Sequence, residues 1–353
     1  MKIAVFFPNT SVCGWSAAWG IGATLRRMGH AVLDVPMPTE REAGPGQVEQ
    51  VKQSLPKIEA FKDAGLLLVS GVEHIAPWID EVYGKYEWKQ LSGVKACWLQ
   101  ESCRRDDYNI DFEAISWWGD EYFFPAIQDA EFHDQEMFAK GRSHWLAFGV
   151  DTNIFKPNAG YASNWDVWPK QAKLYDVGFM GLLYGKRQVF LNALRRHNIP
   201  PIRCGSVHIQ DMGGYQFEES ARRYAENIRQ IKVFLNMPAL SRLIVSKVYE
   251  VLACGTFCLT PTLPDEQSTH LNMRHFESKR HLVYYSPSNL PMLAQYLREY
   301  SSPEFDKKRE EIAAWGCKEV HEKHSLKIRL EEMFSAMKLS QGSGTVKELH
   351  ASH

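Results

Sequence analysis

The residues with the most chemical content lie between Ser246 and Phe257, reading Ser-Lys-Val-Tyr-Glu-Val-Leu-Ala-Cys-Gly-Thr-Phe. Lys247 and Glu250 are three apart, a spacing that puts both on one helix face. Ser246 is a suitable N-cap, and Gly255 stands where a helix needs a left-handed residue to stop. An apolar strand is predicted to start at Phe257. The N-terminus of a helix offers free N–H groups and a positive dipole end, which suits a phosphate. Lys247 adds charge there, and Glu250, one turn deeper, could accept the two hydroxyls of a ribose. Together they fit a nucleotide diphosphate. The same residue types also describe an ordinary surface helix with a Lys–Glu pair.

Such a helix needs a sheet to position it. Apolar runs at Ile3–Phe7, Ala31–Val35, Leu66–Ser70, Val94–Leu99 and Ile115–Trp118 alternate with helical stretches in the first half. The second half repeats the plan at Asp176–Gly181, Ile202–Gly205, Lys232–Asn236, Phe257–Thr260 and His281–Tyr285. Near-continuous apolar strands separated by helices predict parallel sheets covered on both faces. A loop holding Gly14, Gly20 and Gly22 follows the first strand, but its spacing is not the Gly-x-Gly-x-x-Gly of dinucleotide-binding proteins. Gly149–Pro157 with the polar stretch after it is the best linker. Helices are expected over Gly185–Arg196, Leu290–Tyr300 and 303–337, and the polar tail from Lys338 is expected to be mobile.

Composition is consistent with this plan. At 353 residues the chain suggests about two domains. A formal charge of −1 gives no global attraction to nucleic acid or anionic membrane. No apolar run approaches the ~20 residues of a membrane span. The seven cysteines include no Cys-x-x-Cys pair, and several sit in apolar runs. Reduced thiols and a cytoplasmic location are the expectation.

In open α/β sheets, ligands bind beyond the strand C-termini. That rule makes Gly181, Lys186, Arg187, Gly205 and the segment Arg242–Glu250 candidates in the second half. In the first half it selects Gly14, Glu73, His74, Glu101 and Asp120.

The two halves resemble a glycosyltransferase of the GT-B fold, and more narrowly the group-1, spore-maturation-protein-like branch. Four pieces carry the likeness. Lys247-x-x-Glu250-x-x-Ala253-x-Gly255-Thr256-Phe257 is close to that family's Arg-x-x-Glu-x-x-Ala-x-Gly. Gly149-Val150-Asp151 with Phe155-x-Pro157 stands at the interdomain crossing, and Tyr175–Gly181 is followed by Lys186-Arg187. Ile312 to Arg329 is similar to the family's closing helix.

The resemblance implies two Rossmann-like doubly wound domains facing a central cleft. Residues 1–157 would bind acceptor and 158–317 the nucleotide sugar, with a helix over 318–337 returning to the first domain. It implies that Glu250 holds the donor ribose and that Arg187 or Lys186 meets the donor diphosphate. Gly14, Gly181, Gly205, Gly255 and Thr256 complete the expected donor set. Lys247 replaces the family's arginine, keeping the charge and losing the bidentate fork. Where many retaining relatives carry a second Glu, this chain has Arg242, which could instead clamp phosphate.

The implied reaction moves a hexose or pentose from a nucleotide-diphosphate donor, a UDP-sugar being favoured, to a hydroxyl acceptor. Retention and independence from metal are expected, with no cofactor beyond the donor. Helix N–H groups, Lys247, Arg242 and Arg187 would stabilise the leaving diphosphate. Glu101 is the first choice for a base near the acceptor, with His74 and Asp120 second. Each of these could equally cap a helix or make a buried hydrogen bond. The acceptor could be a glycan, a lipid-linked or small molecule, or a modified base in DNA, and binding without turnover is a further reading.

Overall fold

The computed structural model of the chain describes residues 1–8, 16–38, 48–100, 115–125, 142–158, 173–205, 217–237, 244–262 and 275–339. The chain divides into two compact units. Ala18–Ala147, the first strand and the chain from Arg329 make one, and Phe148–Ile328 makes the core of the other.

The first unit is built on six parallel strands in the order β2-β1-β3-β4-β5-β6. They are β1 Lys2–Pro8, β2 Ala31–Met37, β3 Leu66–Ser70, β4 Val94–Trp98, β5 Glu121–Phe124 and β6 Ser143–Trp145. Among the described residues they are accompanied by α1 Ser16–Arg27, α2 Val48–Ser54, α3 Val72–Tyr83 and α4 Lys85–Gln90. All five residues of β3 are buried, as a strand covered on both faces requires. The core is aromatic: Phe6 packs on Phe61 and Trp88 at 5.1 Å each, and Trp88 on Trp118 at 5.8 Å.

Two expectations change here. Ile115–Trp118 is a turn, closed by Trp118 N–H donating to Ile115 O, and the strand comes later, at Glu121–Phe124. Aromatic residues suit either place, but only Glu121–Phe123 pair with β4. Gly20 and Gly22 lie inside α1 rather than in a loop. At Gly22 the missing side chain lets the helix approach Asp34 of β2.

The second unit carries five parallel strands in the order β11-β10-β9-β7-β8. These are β7 Tyr175–Met180, β8 Ile202–Gly205, β9 Ile231–Leu235, β10 Phe257–Pro261 and β11 Val283–Tyr285. Its helices are α5 Gly185–Arg195, α6 Phe217–Arg229, α7 Ser246–Ala253, α8 Leu290–Ser301 and α9 Asp306–Lys323, and α10 Leu326–Ala336 then carries the chain into the first unit. In chain order both sheets begin second, first, third, fourth, fifth, and the first unit's adds a sixth strand. The strand order therefore reverses between β1 and β3 in one and between β7 and β9 in the other. A reversal of this kind opens a crevice at the strand C-termini.

The boundaries differ from 157/158 and 317/318. The second unit opens at Phe148 because Val150 bridges to Ser325, with Val150 N–H donating to His324 O and Leu326 N–H to Val150 O. Asp151, 5% exposed, accepts from Asn153 N at 3.0 Å and so fixes the segment expected to be a linker. The long closing helix breaks at His324, and its first part through Lys323 belongs to the second unit. The tail from residue 340 lies outside the described residues.

Candidate functional site

The crevice of the second unit lies where β7 and β9 part. β7 ends at Met180, and Gly181 follows with φ 141°, its N–H donating to Gly205 O at 2.8 Å. That conformation favours glycine; an added Cβ would sit 2.5 Å from Lys247 Nζ, so the lysine side chain would have to shift. The chain after β9 leads into α7, so the start of α7 and the exit of β7 meet at the same sheet edge.

Here the expected donor residues assemble. Lys247 Nζ lies 4.7 Å from the ring centroid of Phe179, and the Arg187 guanidinium carbon lies 5.0 Å from the same ring. Arg187 also stacks over Tyr184 at 4.3 Å, donates to Leu182 O at 2.9 Å, and is 8% exposed. Its Nε has no hydrogen-bond partner among the described residues. Glu250 is 3% exposed, one turn further along α7. Two cations thus lie within 5.0 Å of one aromatic ring, and the Glu250 carboxylate acts on Lys247.

The electrostatics follow from this crowding. Burial, then the Arg187 charge, lower the Lys247 pKa against the opposing pull of Glu250. Burial also lowers the Arg187 pKa. Two neighbouring cations suit an anion, and the N-terminal end of α7 adds its dipole. The N-cap of that helix is Val245 rather than Ser246, and no side chain caps it.

Asn236 and Phe179 belong to this edge and were not singled out by sequence reasoning. Asn236, 4% exposed at the exit of β9, donates to Thr260 Oγ1 at 2.9 Å while its backbone O accepts from Tyr285 OH at 2.8 Å. Phe179 closes an apolar strand like any core residue, so nothing in its spacing marks it.

Other expected residues lie elsewhere. Lys186 is exposed, whereas its neighbour Arg187 turns to Phe179. Gly205 ends β8 next to Gly181, at the rim of the same edge. Gly255 and Thr256 are at the opposite edge of the sheet, where α7 ends and β10 begins. They close the helix: Gly255 has φ 67° and donates to Leu252 O at 2.9 Å, and Thr256 N–H donates to Val251 O at 3.2 Å. Thr256 Oγ1 donates to Ile228 O at 3.1 Å and receives Lys173 Nζ at 3.4 Å, so it is structural. Gly14, Glu101 and Arg242 lie outside the described residues.

In the first unit His74 stands at the strand C-terminal edge, in the first turn of α3. Its Nε2 is 3.8 Å from Glu73 Oε1, which accepts from Gln100 N at 2.7 Å. Asp120 precedes β5 and so sits at the wrong edge for a ligand. It pairs with the start of β4, accepting from Lys95 N at 2.9 Å and donating its own N–H to Lys95 O at 2.7 Å. That exchange makes it a register pin.

Residues 186–335 match the family model described as Glycosyl transferase-like. That match begins at the basic pair in the first turn of α5 and takes in all of α7. Among curated protein sequences no relative matches. Solved structures similar in fold include a glycosyltransferase from Rickettsia africae, 13% identical with a TM-score of 0.57 over 96% of this chain and 99% of that one. Anabaena HepE in complex with UDP and glucose is 10% identical, with a TM-score of 0.61 over 96% and 99%. An alpha-glucosyltransferase in complex with UDP and a 13-mer DNA is 11% identical, with a TM-score of 0.58 over 96% and 100%. Two α/β units on parallel sheets are the architecture of GT-B glycosyltransferases.

Among the described residues no three His, Cys, Asp or Glu side chains gather in a way that could hold a metal ion, and no helix is long and apolar enough to cross a membrane.

Proposed function

We propose that the chain is a glycosyltransferase that transfers a sugar, hexose or pentose, from a nucleotide diphosphate, a UDP-sugar, to a hydroxyl acceptor. The observation that carries this is the pairing of Lys247 and Arg187 over Phe179 at the strand-order reversal, with buried Glu250 one turn on. The match of residues 186–335 to glycosyl transferase-like proteins supports it, as do UDP-bound structures of the same fold.

In this reading the diphosphate lies against the start of α7, with Lys247 and Arg187 on its oxygens and the ribose hydroxyls toward Glu250. The bond from the anomeric carbon to the diphosphate oxygen breaks, and its electron pair leaves with the diphosphate. The acceptor oxygen takes the carbon and releases its proton. The negative charge that grows on the leaving group is met by charges already in place, the arrangement that costs least reorganisation. We hold the reaction to be metal-independent, since two desolvated cations can do the work of one divalent ion. Retention at the anomeric carbon is proposed from the family resemblance alone. His74, backed by Glu73, is the remaining described candidate for an acceptor-side proton partner.

A panel of nucleotide sugars tests the function by thermal shift and nucleotide release. A UDP- or other NDP-sugar should stabilise the protein and release nucleotide with a suitable acceptor, and NAD should do neither. Stabilisation by none of the nucleotide sugars would end the proposal.

A further inference from the structure

Asn236 follows β9, the middle strand of the second sheet, and so stands beside the reversal between β9 and β7. It is held at backbone and side chain. Its N–H donates to Leu259 O at 2.8 Å, its O accepts from Tyr285 OH at 2.8 Å, and its Nδ2 donates to Thr260 Oγ1 at 2.9 Å. Asn236 and Thr260 are each 4% exposed. The amide so fixed has its other end, Oδ1, buried and without a hydrogen-bond partner among the described residues. A carbonyl oxygen taken out of water and left unpaired is costly, and an arriving N–H or O–H removes that cost.

The surroundings of this oxygen narrow the choice of group. Tyr285, which bonds to the Asn236 backbone, stacks on Phe190 of α5 with ring centroids 6.2 Å apart. Phe190 is three residues from Arg187 on that helix, so both lie on one face of it. Asn236 therefore belongs to the Arg187 end of the crevice. Phosphate oxygens do not suit Oδ1, because both are acceptors. In the donor reading above, on which this inference rests, the ribose hydroxyls go to Glu250. The hydroxyls left beside the diphosphate are those of the sugar to be transferred. We propose that Asn236 reads that sugar: its Oδ1 accepts a hydrogen bond from one sugar hydroxyl. Thr260 is a positioning residue, since its hydroxyl receives Nδ2 and so turns the oxygen to the ligand. A sugar without that hydroxyl leaves a buried acceptor unpaired, which is a stronger basis for rejection than shape alone.

The probes are UDP, UDP-glucose and UDP-glucose analogues deoxygenated at each sugar hydroxyl in turn, compared by equilibrium titration. The wild type should bind UDP-glucose about tenfold or more tighter than one of the deoxy analogues. Asn236→Leu should bind UDP as the wild type does and no longer tell that analogue from UDP-glucose. Thr260→Val, of nearly unchanged shape, should also keep UDP affinity and lose part of the discrimination, which covers a failure of Asn236→Leu to fold. Several results overturn the inference and leave the donor reading standing: a wild type indifferent to every deoxygenation, equal losses for UDP and UDP-glucose in Asn236→Leu, or discrimination intact in both variants. No binding of UDP or UDP-glucose by the wild type would instead remove the donor reading, and the inference with it.

Discussion

Arg187 and Glu250 are buried near partly buried Lys247, and taking charge out of water is costly, so a bound ligand of opposite charge would stabilise the arrangement. A donor diphosphate and ribose would do so. Glu250→Ala and Lys247→Ala are each expected to weaken UDP-sugar binding by ~1–3 kcal/mol, read by equilibrium titration. Equal affinity in both variants and wild type would remove the assignment. A second lysine probes the other sheet edge. Burial holds Lys173 down to about 8, where it donates to Arg229 O at 2.8 Å. Its folded pKa lies below the ordinary 10.5, so between those values the unfolded chain binds more protons and stability rises with pH. Denaturant titrations should therefore show wild type gaining stability relative to Lys173→Met from about pH 8 to 10.5, and equal slopes would contradict the shift. The Lys247–Glu250 pair was legible from its three-residue spacing. The choice of Arg187 over Lys186 was not, because one residue along a helix decides which cation turns inward and sequence alone gives no phase.

α7 has different duties at its two ends. Its start meets the crevice, and its finish at Cys254–Thr256 locks the helix to β10 and α6 through the paired backbone bonds of Gly255 and Thr256 and the Thr256 hydroxyl. Gly255→Ala forces a side chain into φ 67° and should cost about 1 kcal/mol of stability. Thr256→Val removes a buried hydrogen bond and should cost a similar amount. Neither should change UDP-sugar affinity. A loss of affinity without loss of stability would return both residues to the donor site. Continuous apolar runs made most strands readable, since a strand buried on both faces has little else it can be. β5 was misplaced because Trp117 and Trp118 are as strand-like as Tyr122–Phe124, and long-range pairing with β4 decides between them. β6 has only three residues, all half-buried, and so leaves no periodic signal.

The two sheets share the order of their first five strands, and each has its own reversal. The repetition was visible in the sequence as two series of apolar runs. The boundary near 148 was not, because Asp151 and Val150 are tied down by bonds to residues close by and far along the chain, including His324 and Ser325. Turnover should survive EDTA undiminished in a nucleotide-release assay, with abolition by chelator and rescue by Mn²⁺ as the contrary result. The most direct test of the central claim is a crystal structure with UDP. The expected result is a diphosphate at the start of α7, contacted by both Lys247 and Arg187, with the ribose hydroxyls on Glu250. UDP bound well away from the exit of β7, or a diphosphate touching neither cation, would contradict it.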